Sequence, residues 1–131
     1  VTITKYIRMS SSSISATELK AHELLAIIDQ YIEEKIQHKI SIEELAKFVC
    51  MNKYSLMRTF KSLTDVTIYQ YIISKRLEIA EKKIRAGLDF STAAYACGFS
   101  DYSCFYRAFV NHYKMSPTEY FNLENKAEQS M

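Results

Sequence analysis

The sequence predicts an all-helical fold built from one unit used twice. Three features carry this prediction. Only two Gly and one Pro occur in 131 residues, far below ordinary usage, so turns are few. Apolar residues recur at helical spacing along most of the chain. One pattern also appears twice: Leu45-Ala46, Asn52, Leu56, Arg58, Phe60, Thr67 and Tyr71, then Ala93-Ala94, Asp101, Phe105, Arg107, Phe109, Ser116 and Tyr120. From Asn52 onward the partners stand 49 positions apart, whereas Ala46 and Ala94 stand 48 apart, so the second copy has one more residue between its two elements. Two copies make a pseudo-symmetric domain and not a stacked solenoid.

At the start, Val1, Ile3, Ile7 and Met9 alternate with polar positions in a weak strand pattern, and Ser10 to Ser13 follow as a linker. With Val in first place, residues 1–16 are expected to be a linker or the remnant of an upstream domain. Ser15 to Glu18 has capping-box spacing, and Leu24, Leu25, Ile28, Tyr31, Ile32 and Ile36 then share one face of a helix reaching to near His38. Ser41-Ile42-Glu43-Glu44 is a second capping box, with Ile40 and Leu45 placed as its hydrophobic staple, and opens a short helix to Val49. Cys50-Met51-Asn52 forms a turn, with Asn52 capping the next helix. There Leu56, Phe60 and Leu63 face inward, while Tyr54, Arg58 and Lys61 lie roughly 160 to 200 degrees away.

Thr67 caps a long helix running to about Ala86, with Ile68, Tyr71, Ile72, Ile79, Ala80 and Ile84 on its apolar side and Gly87 ending it. Its length is about 30 Å. Asp89 caps a short helix, Phe90 to Cys97, after which Gly98-Phe99-Ser100 turns the chain. Asp101 caps a helix that carries Phe105 and Phe109 inward, and Ser116-Pro117 starts a last helix with Pro where its missing N–H does no harm. The polar tail, residues 124–131, is expected to fray. The expected organisation is a first unit at about 17–65, a linker helix at 67–86 and a second unit at 89–123.

A short helix, a tight turn and a second helix with long polar and aromatic side chains outward form a helix-turn-helix. The fold class expected is therefore all-α, with two helix-turn-helix subdomains joined by a long linker helix. Such a second helix fits the DNA major groove, and a linker of about 30 Å approaches the roughly 34 Å of one duplex turn. A single chain can then lay two reading helices into successive major grooves. The net charge of +2 alone does not call for a nucleic-acid partner, but its distribution does: Lys47, Lys53, Arg58 and Lys61 fall between Leu45 and Thr64 without one acidic residue.

Other classes are less well served. Cys50, Cys97 and Cys104 are odd in number and lack a Cys-x-x-Cys pair, which suits a reducing cytoplasm rather than a disulfide scaffold. Their placement around turns, with His112 as the nearest histidine, lacks metal-ligand spacing, so small buried hydrophobes are the expectation. No arrangement points to a catalytic nucleophile; neither enzyme activity nor a cofactor or metal is expected. No apolar run has the length of a membrane span.

The matching residues resemble the AraC/XylS family of transcription regulators, in its C-terminal DNA-binding domain. They are Leu45-Ala46, Leu56, Arg58, Phe60-Lys61 and Tyr71 in the first half, Arg76-Leu77 and Ala80 in the linker, and Gly98-Phe99, Asp101, Ser103, Phe105, Arg107, Phe109, Ser116-Pro117 and Tyr120 in the second. Cys50, Asp65 and Lys114 stand where the family usually has Gly, Asn52 where it has Ser, Thr92-Ala93 where it has Glu-Ile, and Val110 where it has Lys. The resemblance implies that Tyr54, Ser55, Met57 and Arg58 sit on one base-reading helix and Tyr102, Ser103, Tyr106 and Arg107 on the other. Arg58 and Arg107 are candidates for bidentate bonds to guanine, the tyrosines for thymine methyl groups or phosphates, and Met57 for a methyl group. Lys53, Lys61 and His112 are phosphate candidates, joined by the backbone amides at the helix N-termini near Ser41 and Asp89. The implied protein is a bacterial-type, cytoplasmic activator that binds double-stranded DNA and contacts RNA polymerase, with an upstream effector-binding or dimerisation domain. The alternative is a protein-interaction module in which one unit serves RNA polymerase or a co-regulator and does not read DNA.

Overall fold

The computed structural model describes residues 16–129, so the strand-like pattern of residues 1–9, the serine linker and Ser15 of the first capping box lie outside the described residues. Seven helices and no strand occur among the described residues: α1 (Ala16–Glu34), α2 (Ile42–Phe48), α3 (Lys53–Thr64), α4 (Ile68–Arg85), α5 (Phe90–Ala96), α6 (Tyr102–Tyr113) and α7 (Pro117–Gln129). The chain divides into two compact units after Ile72, within α4. Each unit has its own buried residues.

In the first unit α1 buries Leu25, Ile28, Tyr31 and Ile32, and α2 buries Ile42, Leu45 and Ala46. From α3 come Leu56 and Phe60, and from α4 Ile68, Tyr71 and Ile72. Burying each large apolar side chain contributes about 1.5–3 kcal/mol. Polar atoms are satisfied as they enter. The Tyr71 hydroxyl donates to Asp29 on α1, while the ring meets Phe60 at 5.6 Å. Two details differ from the sequence expectation. Helix α1 ends at Glu34, because Lys35 and His38 bond three residues back and tighten the chain into turns; Ile36 is buried nonetheless. At the end of α3, Thr64 is buried and Leu63 only half-buried. The Thr64 hydroxyl makes this tolerable by donating to the Phe60 carbonyl at 2.8 Å.

In the second unit Leu77 and Ala80 of α4, Ala93, Ala94 and Cys97 around α5, Phe99, and Phe105 and Phe109 of α6 form one buried cluster. Tyr113, Tyr120 and Phe121 pack against it. Glu81 on α4 accepts from the Tyr120 hydroxyl at 2.7 Å and the Tyr113 hydroxyl at 3.1 Å. It also pairs with Arg85 at 2.6 Å, and Arg85 pairs in turn with Glu124 on α7. Helix α7 spans Pro117 to Gln129.

The turns explain where three unexpected residues stand. After α2, Met51 N–H donates to the Ala46 carbonyl and Cys50 N–H to that of Lys47; after α5, Phe99 donates to Ala94 and Gly98 to Tyr95. Both are Schellman turns, which need one left-handed residue. Gly98 supplies it at φ 98, and Cys50 supplies it at φ 58 with a side chain attached. Asp65 at φ 68 and Lys114 at φ 64 play the corresponding part after α3 and α6. A non-glycine residue held there costs roughly 1–2 kcal/mol, offset by about 0.4–1 kcal/mol through its less flexible unfolded chain.

Two outcomes are expected. Cys50→Gly raises stability by about 0.5–1 kcal/mol in urea unfolding, and an unchanged or lower midpoint removes the strain argument. Burial first, and then the Glu81 carboxylate, raise the Tyr113 and Tyr120 phenols above their ordinary value of 10. Because the folded pKa lies above the unfolded one, this stability is complete below about pH 10 and is lost as pH climbs toward the folded value. A thermal scan from about pH 8 to 11 shows the decline, and the Tyr113→Phe/Tyr120→Phe variant shows a shallower one.

Candidate nucleic-acid interface

Helices α3 and α6 are held the same way. Each buries two residues four positions apart, Leu56 and Phe60 in α3, Phe105 and Phe109 in α6, so the opposite faces must be polar or exposed aromatic. Each begins on an extended residue whose side chain takes an unpaired helix amide: Asn52 accepts from Tyr54 N–H at 2.8 Å and Asp101 from Cys104 N–H at 2.8 Å. The Asp101 carboxyl is held below its ordinary pKa by those amide bonds. It is a cap, as its sequence position suggests.

On α3, Tyr54 is 69% exposed and Arg58 and Lys61 are exposed, while Ser55 and Met57 are half-buried. On α6, Tyr102, Ser103, Tyr106 and Arg107 are all exposed. The base-reading candidates thus gather on one face in each unit. Their surroundings differ. Tyr102 leans on Phe105 at 5.7 Å and on Tyr106 at 6.3 Å between ring centroids, an aromatic ledge with a buried base. Arg107 folds back on its own helix, with Nε donating to the Ser103 carbonyl at 3.4 Å and Nη2 lying 3.6 Å from Cys104 Sγ. Val110 is half-buried at the position where α3 carries exposed Lys61.

The phosphate candidates divide further. Lys61 is exposed. His112 is exposed too, its ring edge against Tyr113 at 4.7 Å. Ser41 caps α2, accepting from Glu44 N–H at 3.3 Å. Asp89 does the same for α5 through Thr92 N–H at 2.7 Å, which occupies the amide otherwise open to an anion. Lys53 donates to Glu43 at 2.7 Å, and the Ser41 hydroxyl donates to the other oxygen of that carboxylate at 3.2 Å. The Lys53 hydrogen bond is the largest of the influences that bring the Glu43 carboxyl down to about 2. It is charged at any physiological pH.

Sequence reading missed Glu43 as a partner. The signal is an opposite charge at the start of each helix of the pair, ten residues apart, and its meaning depends on how α2 meets α3. It also missed Gln70, which accepts from Thr67 N–H while Thr67 Oγ1 accepts from Gln70 N–H; the Thr-x-x-Gln spacing marks that reciprocal cap. The thiols lie apart in character: Cys97 is buried and pushed up to about 11 by that burial, Cys104 is half-buried and Cys50 exposed. No described helix is long and apolar enough to cross a membrane.

Comparison with known proteins gives this geometry a context. Residues 45–122 match the family model described as a helix-turn-helix domain. The probable transcriptional regulator LumQ of Photobacterium leiognathi is 39% identical over 97 residues, covering 73% of this chain and 39% of LumQ. The HTH-type transcriptional activator RhaS of Mannheimia succiniciproducens is 29% identical over 113 residues, covering 86% and 41%. The chain spans about two fifths of the length of these curated relatives. Among solved structures, an AraC-type transcriptional regulator from Chromobacterium violaceum aligns at TM-score 0.69 with 24% identity, over 77% of this chain and 91% of that one. The DNA-binding domain of AdpA, solved in complex with a target DNA, aligns at TM-score 0.71 with 21% identity, over 81% and 96%. These two likenesses are of fold.

Replacing Asn52 by Ala is expected to cost about 1 kcal/mol in urea unfolding, since Tyr54 N–H loses its acceptor, whereas Asn52→Ser costs little. Equal stability of all three proteins would remove the capping role.

Proposed function

The chain belongs to the AraC family of helix-turn-helix transcription regulators, and from that premise we propose that it binds double-stranded DNA sequence-specifically by placing α3 and α6 in successive major grooves. One observation carries the reading: the two helices, fixed by equivalent buried stripes and caps, expose two equivalent candidate positions, Tyr54 with Ser103 and Arg58 with Arg107. The 18 residues of α4 run from one unit into the other as a single helix.

In this reading Arg58 and Arg107 bond guanine edges, Arg107 after leaving its own helix carbonyl. Tyr54, Tyr102, Tyr106 and Met57 meet thymine methyl groups or sugars, and Ser55 and Ser103 reach neighbouring base edges. Lys61, Lys53, Ser41 and His112 hold the backbone. The proposal extends to activation through RNA polymerase, in keeping with the name of the RhaS relative, and to an effector-binding or dimerisation domain in the full-length protein. A second reading, that the second unit serves a protein partner such as RNA polymerase instead of DNA, is favoured by the exposed tyrosines Tyr95, Tyr102 and Tyr106.

Sites selected from a random duplex pool decide between them. Two half-elements about one turn apart support the first reading; a single half-element supports the second, and no binding at low salt overturns both. Arg58→Ala is expected to relax preference at particular bases, at about 1–3 kcal/mol of discrimination. Lys61→Ala weakens all duplexes alike and lowers the slope of log affinity against log salt by about 0.9. Identical, sequence-independent losses from both variants would refute the division of roles.

A further inference from the structure

Two of the four side chains assigned to the DNA backbone converge on a single carboxylate of the same chain. Lys53 Nζ meets Glu43 Oε1 at 2.7 Å, and Ser41 Oγ donates to Glu43 Oε2 at 3.2 Å. The ammonium and hydroxyl that hold this carboxylate are the donors a phosphodiester oxygen would accept from in the same place. The pair is open to solvent, with 34% of the Lys53 side chain and 62% of that of Glu43 exposed. An incoming phosphate can therefore reach the ammonium.

We propose that Glu43 is an internal competitor for the DNA backbone, occupying Lys53 in the free protein and lowering its affinity for every duplex by the same factor. This rests on the phosphate role given to Lys53 above. The competition belongs to the first unit alone. Counting from the helix starts, Ile42 with Phe90 and Lys53 with Tyr102, the counterparts of Glu43 and Lys53 are Ser91 and Tyr102, which cannot form an ion pair. Glu43 also lies on α2 and not on the reading face of α3, so it acts on grip and leaves base preference alone.

Glu43→Gln keeps the shape and removes the charge. Its expected effect is a gain of about three- to tenfold in affinity, equal on selected and random duplexes, with a salt slope steeper by up to about 0.9, the value for one further neutralised phosphate. A general loss of negative charge near DNA would raise affinity too, so the deciding comparison is made in a Lys53→Gln background. There the gain from Glu43→Gln disappears if the two residues compete with phosphate as proposed; a gain of the same size overturns the proposal. Glu44→Gln, one residue along, is the charge control and is expected to give the smaller effect. If Lys53→Gln alone leaves affinity and salt slope unchanged while the protein still selects its site, Lys53 is not a backbone contact and the proposal falls with the DNA reading intact. If the unaltered chain binds no duplex at low salt, the DNA reading itself falls. Urea unfolding of each variant separates changed binding from changed folding: a Glu43→Gln gain accompanied by an unshifted midpoint supports competition, and a lost affinity overturns it.

Discussion

Phe60 and Phe109 decide what the other side of their helices can do. Each is buried beside a second apolar residue one turn earlier, Leu56 or Phe105, and a helix pinned by one stripe has its remaining positions fixed in rotation. Tyr54, Arg58 and Lys61 then face outward on α3, as Tyr102, Tyr106 and Arg107 do on α6. Were either stripe to turn by one residue, about 100 degrees, the outward set would rotate out of its plane of action. Rigid burial on one side is thus what gives the other side a definite geometry, and a reading surface needs that more than it needs charge.

Much of this was legible in the chain itself. Caps at Ser41, Asn52, Thr67, Asp89 and Asp101 depend on a short side chain reaching an amide two or three residues on, a local event that spacing reveals. Leu56 and Phe60 of α3 and Phe105 and Phe109 of α6 follow from helical periodicity and were equally plain, whereas on α4 fully buried Leu77 stood outside the expected face and Ile79 and Ile84 within it are half-buried. What could not be seen involved side chains meeting across elements. Thr64 replaces Leu63 in the core because its hydroxyl finds the Phe60 carbonyl. Glu43 finds Lys53 through the way α2 meets α3, and Arg107 turns back to the Ser103 carbonyl. Arg85 finds Glu124 on α7 across 39 residues of chain.

The two units share a backbone plan and differ in chemistry. Both close their turns with a left-handed residue, yet the first uses Cys50 where the second uses Gly98. The first is cationic, with Lys53, Arg58 and Lys61 along α3. The second is aromatic, its exposed Tyr102 and Tyr106 resting on buried Phe105. Aromatic contact is short-ranged and little affected by salt, whereas charge acts over about 10 Å at ordinary ionic strength.

Glu81 gives the second unit a property of its own. One carboxylate on α4 receives the hydroxyls of Tyr113 on α6 and Tyr120 on α7, and is paired with an arginine that also grips Glu124. Pro117, at the opposite end of that stretch of α7, is fully buried. A terminal helix ordinarily opens by itself, many times faster than its domain unfolds. Here the segment from Pro117 to Glu124 cannot lift away without breaking contacts to two other helices at once. Its amide protons should exchange with solvent at the pace of the unit as a whole, so that three helices share one opening event and this stretch of α7 behaves, in time, as part of the interior.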